Sequence, residues 1–167
     1  MPEEYEGEDR EDLNEPPPFF PNDTSLPTRE QGSMGELVEV QIEGVWEQET
    51  NNIFSRFVLL TDGTRRLPIV IGPFEAQAIT SVLEREQADR PMTHDLIKNV
   101  IDKLNATVDR VVIDDFWSSI YYAKIYLQSG DNEMEIDARP SDAIALAARF
   151  EAPILVAEGI LESGIVD

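Results

Sequence analysis

The chain reads as an α+β domain, with a mixed, largely antiparallel sheet of about six to seven strands packed with three main helices. Three observations point there. Apolar residues alternate over short runs in two groups, before Ile71 and after Thr107. Helical apolar periods separate and follow those groups. A proline and then an acid also stand at each apparent start of a main helix: Pro73 and Glu75, Pro91 and Asp95, Pro140 and Asp142.

Order begins near residue 35. Val38, Val40, Ile42, Gly44 and Trp46 alternate with Glu39, Gln41, Glu43, Val45 and Glu47, the pattern of a strand with one buried face. A second strand runs from Phe54 to Leu60, and Asp62-Gly63 makes a hairpin turn because both positions tolerate positive φ. The return strand, Arg65 to Ile71, contains Pro68, which cannot donate to a ladder and demands an edge or a bulge.

Gly72-Pro73 opens the first helix, with an apolar stripe of Phe74, Ala78, Ile79, Val82 and Leu83. Thr93 is the expected N-cap of the second, whose stripe is Leu96, Ile97, Val100, Ile101 and Leu104. Strands follow over Thr107–Ile113, Ser119–Gln128 and Glu133–Asp137, the first pair joined through Asp114–Ser118. The third helix, Pro140 to about Phe150, is alanine-rich and suited to close packing on the sheet. A short strand, Pro153–Val156, and a short helix, Glu158–Leu161, end the domain. Strands, helix, strands, helix is an order compatible with an internal duplication, although no sequence repeat marks one.

Residues 1–34 differ in composition. They hold Glu3, Glu4, Glu6, Glu8, Asp9, Glu11 and Asp12, then Pro16-Pro17-Pro18-Phe19-Phe20-Pro21, without apolar periodicity. Such a segment buries too little surface to offset its ordering entropy, so a disordered tail is expected before a single domain over 35–167. The Pro-Phe cluster could also serve as a docking motif.

Composition bounds the function. The 167 residues contain no cysteine, which rules out a disulfide framework, a zinc-thiolate site or a thiol nucleophile and suits a reducing cytoplasm. No membrane span and no secretory signal are expected. The net charge is -21, from 34 acids against 13 Lys plus Arg. That field repels a polyanion, so any nucleic-acid binding is expected to be weak. There is no Gly-rich phosphate loop ending in Lys-Ser/Thr, no dinucleotide fingerprint and no nucleophile-elbow serine.

What remains for chemistry is the set of helix starts. Glu75, Asp95 and Asp142 complement a helix dipole and satisfy free backbone N–H groups. The same acids, converging with Asp137, could hold a divalent cation, because hard cations take carboxylate oxygens and phosphodiester hydrolysis uses them to orient water. The candidate ligands are Asp137, Asp142 and Glu75, with Mg²⁺ or Mn²⁺ as the expected ion, and the candidate catalytic groups are Asp137, Asp142, Asp95 and His94. His94, the single histidine, suits a general base or a hydrogen-bonded structural role and excludes a two-histidine acid–base pair within one chain. Arg139, Arg90 and Ser141 are the candidate substrate-binding groups, and either arginine could instead pair with a neighbouring acid.

Three segments, Leu67–Ile79, Arg90–Leu96 and Asp137–Leu146, together resemble the hallmark of the bifunctional nuclease domain family, over about Glu36 to Ile165. The resemblance implies an α+β domain that tends to self-associate, as a homodimer or higher homo-oligomer, and a nuclease acting on DNA and RNA. It carries Glu75, His94, Asp95, Asp137, Arg139, Ser141 and Asp142 as motif positions without giving an established catalytic set. Some members carry a further C-terminal domain of the UvrB–UvrC interaction type, and none is expected here, since the chain stops at Asp167. The other reading left open is a non-catalytic homo-oligomeric interaction or regulatory module.

Overall fold

A computed structural model describes residues 35–50, 53–86 and 88–163, so the acidic, proline-rich segment and its Pro-Phe cluster lie outside the described residues. The elements in chain order are β1 (Leu37–Thr50), β2 (Ile53–Thr61), β3 (Arg66–Ile71), α1 (Pro73–Leu83), α2 (Thr93–Lys103), β4 (Thr107–Trp117), β5 (Ile120–Ser129), β6 (Asn132–Ala138), α3 (Pro140–Phe150), β7 (Ile154–Ala157) and α4 (Glu158–Ser163). The strands form one seven-stranded sheet in the order β3-β2-β1-β7-β4-β5-β6. Only the β4–β7 pairing is parallel; the other neighbours are antiparallel. The expected α+β class and mixed, largely antiparallel sheet are what the chain builds.

Pro68 sits on β3, the terminal strand, where its missing donor costs no ladder bond. Asp62 closes the β2–β3 turn by accepting from the backbone N–H groups of Thr64 and Arg65 at 2.9 and 2.7 Å, and Gly63 takes the positive φ of 96°. The β4–β5 connection departs from expectation. β4 continues through Asp114 and Asp115 to Trp117, and the turn is Ser118-Ser119, with φ of 50° and 64°. Two residues in left-handed conformation match the twist of a tight hairpin, but serine lacks the glycine signal that would have announced it.

The ladders break register at Glu43, Asp109 and Asp114. Each bulge re-aims an acid toward a cation: Glu43 to Arg66 at 2.8 Å, Asp109 to Arg110 at 2.7 Å, and Asp114 to Lys124 at 2.9 Å.

The two faces of β5 have different fates. Ala123, Ile125 and Leu127 join the core. On the other face Lys124 pairs with Asp114, while Tyr126 donates to Glu135 at 2.8 Å and lies under the Arg110 guanidinium. That face is a charged ladder with aromatic stems.

α3 is the centre of the helical layer. Ala143, Ile144, Ala145, Leu146 and Ala147 are buried in unbroken succession, which a one-faced surface helix does not show. It packs on β4 and β5 and also against α1 and α2. Alanine keeps those approaches short, while fully buried Ile144 supplies about 2 kcal/mol of transfer free energy.

The flanking helices bury less than their periodicity promised. In α1, Ala76 and Ile79 are buried and Phe74 is 80% exposed. In α2 only Ile101 is buried; Leu96, Ile97, Val100 and Leu104 are exposed. The reason is α2's attachment, which runs through polar side chains of its first turn.

Candidate functional site

Arg139 is the last residue before α3. Its N–H groups reach two acids from different helices: Nε donates to Asp142 Oδ2 at 2.7 Å, and a terminal nitrogen donates to Glu75 Oε1 at 3.0 Å. Pro140 fixes the entry of α3, so Asp142 falls one turn later beside that guanidinium. Glu75 holds the equivalent place in α1, after Pro73. A Cβ at Gly72 would run into the Glu75 carboxylate, so glycine is what lets that carboxylate fold back over the start of α1.

The first turn of α2 completes the group. Thr93 is already helical; the cap position is Met92, whose backbone N–H donates to Asp95 Oδ2 at 3.0 Å. The expected Thr93 cap is therefore shifted by one residue, and Asp95 does the capping by reaching back. His94 Nε2 lies 3.0 Å from Asp142 Oδ1, with the His94 side chain 12% exposed. Asp95 Oδ1 accepts from Arg149 Nε at 2.6 Å. Asp142 and Arg149 stand seven residues apart on α3, two helical turns along one face, and so hold consecutive residues of α2.

Electrostatics follow from these contacts. Burial acts to raise the Asp142 pKa, but hydrogen bonds from Arg139 and His94 outweigh it and hold the carboxyl below its ordinary value. The Arg149 hydrogen bond likewise lowers Asp95, against partial burial and with help from the Met92 N–H. Asp142 raises the Arg139 pKa in turn. An ionised Asp142 only accepts, so His94 Nε2 is the donor and the lone pair of the neutral ring sits on Nδ1.

Glu75, His94, Asp95, Arg139 and Asp142 all line a cleft of about 1390 Å³, so the three acidic helix starts do share one region. Its walls include Phe74, Ile97, Ile125, Ile136 and Leu146, so the surface is mostly apolar, although half of the lining residues, Gln77, Arg85 and Glu86 among them, are polar or charged. Asp137 also contributes to the cleft lining, but its side chain is turned outward. In register it stands opposite Lys124 and points to the same side of the sheet, away from the helices. Ser141 is buried in the first turn of α3, and neither Ser141 nor exposed Arg90 lines the cleft.

Among the described residues no group of three or more His, Cys, Asp or Glu side chains is arranged to hold a metal ion. The expected ligand set does not fit a resident Mg²⁺ or Mn²⁺ as it stands. Arg139 occupies the space between Glu75 and Asp142 and already neutralises both, and Asp137 faces elsewhere.

Arg149 was not singled out from sequence. Its side chain is 5% exposed and also donates to the carbonyls of Ala78 and Ala145 at 2.9 and 3.0 Å. The i, i+7 spacing from Asp142 was the available signal. No helix among the described residues is long and apolar enough to cross a membrane.

Comparison with known proteins identifies the chain at the level of family. Residues 58–167 match the family model of the bifunctional nuclease domain, which takes in all the helix starts described above. The chain is 35% identical over 123 residues to an uncharacterized protein of Mycobacterium tuberculosis, covering 74% of this chain and 73% of that protein. It is 32% identical over 101 residues to "Bifunctional nuclease 2" of Arabidopsis thaliana, covering 58% of this chain but 31% of that protein. "Bifunctional nuclease 1" of Oryza sativa subsp. indica is 30% identical over 93 residues, covering 54% of this chain and 28% of that protein. With most of its length matched by the family model, this chain belongs to the bifunctional nuclease domain family.

Proposed function

We propose that this protein cleaves phosphodiester bonds of DNA or RNA at the centre formed by Arg139, Asp142 and His94. One observation carries the reading: an exposed arginine and a histidine–carboxylate pair share a single acid, Asp142, at the wall of a cleft. The Arg139 side chain is 65% exposed and spends two of its N–H groups on Asp142 and Glu75. The remaining N–H groups can bind a phosphate oxygen and offset charge that grows there as the bond to the attacking oxygen forms. Asp142 fixes the His94 tautomer, so that Nδ1 can accept a proton from water and return it to the leaving oxygen. Glu75 aims the guanidinium without touching the reacting atoms.

The divalent ion expected from the acids alone has no place in this arrangement while Arg139 bridges Glu75 and Asp142. An ion would have to displace that guanidinium and take the same two carboxylates. The test is cleavage of DNA and RNA by wild type, Arg139→Ala and Asp142→Ala purified in parallel, with Mg²⁺, with Mn²⁺ and with chelator. The expected result is activity in the wild type that falls in both variants. Loss in chelator as well would assign Glu75 and Asp142 to a bound ion; unchanged activity in both variants would remove the site.

A second reading, self-association, is favoured by α2. Leu96, Val100 and Leu104 repeat every four residues, are exposed and lie outside the cleft wall. An amphipathic stripe turned to solvent suits a second copy of the chain. Light scattering after size exclusion checks it: a mass above one chain that falls to one chain in Leu96→Lys supports it, and a monomeric wild type ends it.

A further inference from the structure

We infer that the substrate of this site is a single strand, taken with an unpaired base in the apolar cleft and stacked on Phe74. The inference rests on the nuclease reading and goes further, because it names what the enzyme can grip. Affinity for nucleic acid ordinarily comes from neutralised phosphates. Here the chain carries -21 charges, and in the cleft Arg85, Arg139 and Arg149 are outnumbered by Glu75, Glu86, Asp95, Asp137 and Asp142, with Arg139 bound to Glu75 and Asp142 and Arg149 to Asp95. Phosphate contacts alone cannot supply much binding.

What the cleft offers instead is exposed apolar surface held in a concave site. Phe74 follows Pro73 in the first turn of α1, immediately before Glu75, and is 80% exposed at the wall. Ile136 of β6 and Met92 at the start of α2 are exposed on the same cleft. Phe74 and Arg139 line the same cleft, and a phenyl face with a guanidinium in one cleft can receive a base and a neighbouring phosphate. In a duplex, bases are stacked and paired, and reaching this surface would first require unstacking them. The cleft therefore selects unpaired nucleotides, of DNA or RNA alike, since nothing in stacking reads the 2′-hydroxyl.

The experiment uses one sequence in three forms, single-stranded DNA, its duplex and single-stranded RNA, with wild type, Phe74→Ala and Arg139→Ala. Phe74 is largely exposed, so its loss leaves the fold intact, and Ile136→Ala on another element serves as a second probe. Single strands are expected to be cleaved and the duplex spared. Phe74→Ala should raise KM for both single strands about tenfold with little change in kcat, the size expected for losing one stacked base. Single-strand binding should weaken only slightly with salt, with a logarithmic slope of about -0.7, as for one phosphate contact on a single strand. Equal cleavage of duplex and single strand, with Phe74→Ala unchanged, would overturn the inference and leave the nuclease reading standing. If instead Phe74→Ala and Ile136→Ala lower the oligomeric mass without changing cleavage, a second copy fills the cleft and the inference falls. Absence of wild-type cleavage on all three forms would remove the nuclease reading itself.

Discussion

Arg149 donates from Nε to Asp95 Oδ1 over 2.6 Å, and this bond joins the buried middle layer of the protein to a helix whose apolar stripe is largely exposed. The arginine is almost wholly enclosed, and it also donates to carbonyls of α1 and of its own helix. One side chain thus ties α1, α2 and α3 together. Because α2 buries only Ile101, its position depends on this contact and on His94–Asp142 more than on apolar packing. The second contact belongs to the proposed catalytic group, so attachment of α2 and organisation of the site are one problem.

Arg149→Met tests the attachment. Methionine keeps much of the apolar stem but drops every donor, so Asp95 retains the Met92 N–H and the Ala78 carbonyl retains Ser81 Oγ, while the bonds from the guanidinium are lost. Asp95 is partly exposed, so water recovers some of the loss. A destabilisation of about 2 kcal/mol is expected in urea unfolding, from the range for losing a hydrogen bond to a charged group. Hydrogen exchange in the amides of α2 should rise well above that of β4 and β5. Uniform acceleration through the whole domain would mean that the arginine supports the core and not α2 in particular.

Acid should loosen the same helix. Asp95 and Asp142 both have folded pKa values below their ordinary ones. A depressed carboxyl contributes stability that is fully present above its unfolded value, about 3.9, and is lost as pH falls through the folded value. Thermal midpoints should therefore hold level from neutral pH down to the ordinary carboxylate range and fall below it. Asp95→Asn with Asp142→Asn should flatten part of that fall while lowering the midpoint at neutral pH. A double variant with an unchanged acid slope would place the pH sensitivity in other carboxylates, with Asp62 in the β2–β3 turn the first to examine.

How much of this was readable in the sequence varies by element. The helix starts were legible because proline and a following acid mark them chemically: α1 and α3 begin at Pro73 and Pro140 as expected. Pro68 announced an edge or a bulge, and β3 is an edge strand. The periodic stripes of α1 and α2 were legible as helix but not as core, since periodicity reports a helix's apolar face and not whether anything covers it. Phe74 and Leu96 show the gap, both apolar, both periodic and both in solvent. The acids of three helices reach one cleft, yet the side-chain partnerships there join residues 48, 54 and 64 positions apart. No local pattern encodes those separations. Asp137 is the opposite case: close to Asp142 in sequence, it is turned to the other face by strand alternation.

Gly72→Ala separates organisation of the site from stability. The backbone at Gly72 has φ of -76°, which alanine adopts freely, so no backbone strain is introduced. The added methyl instead meets the Glu75 carboxylate, the far end of a flexible side chain that can swing away. Stability should change by about 0.5 kcal/mol or less, as for surface substitutions. Arg139 would then keep Asp142 and lose Glu75, gaining freedom at the cleft wall. The expected outcome is an unchanged melting temperature with a severalfold loss in kcat/KM on nucleic acid, matched by Glu75→Gln. If Gly72→Ala melts early, the carboxylate is held more firmly than a single exposed arginine accounts for. If it keeps full activity, Glu75 has no part in aiming the guanidinium, and Asp142 alone positions it.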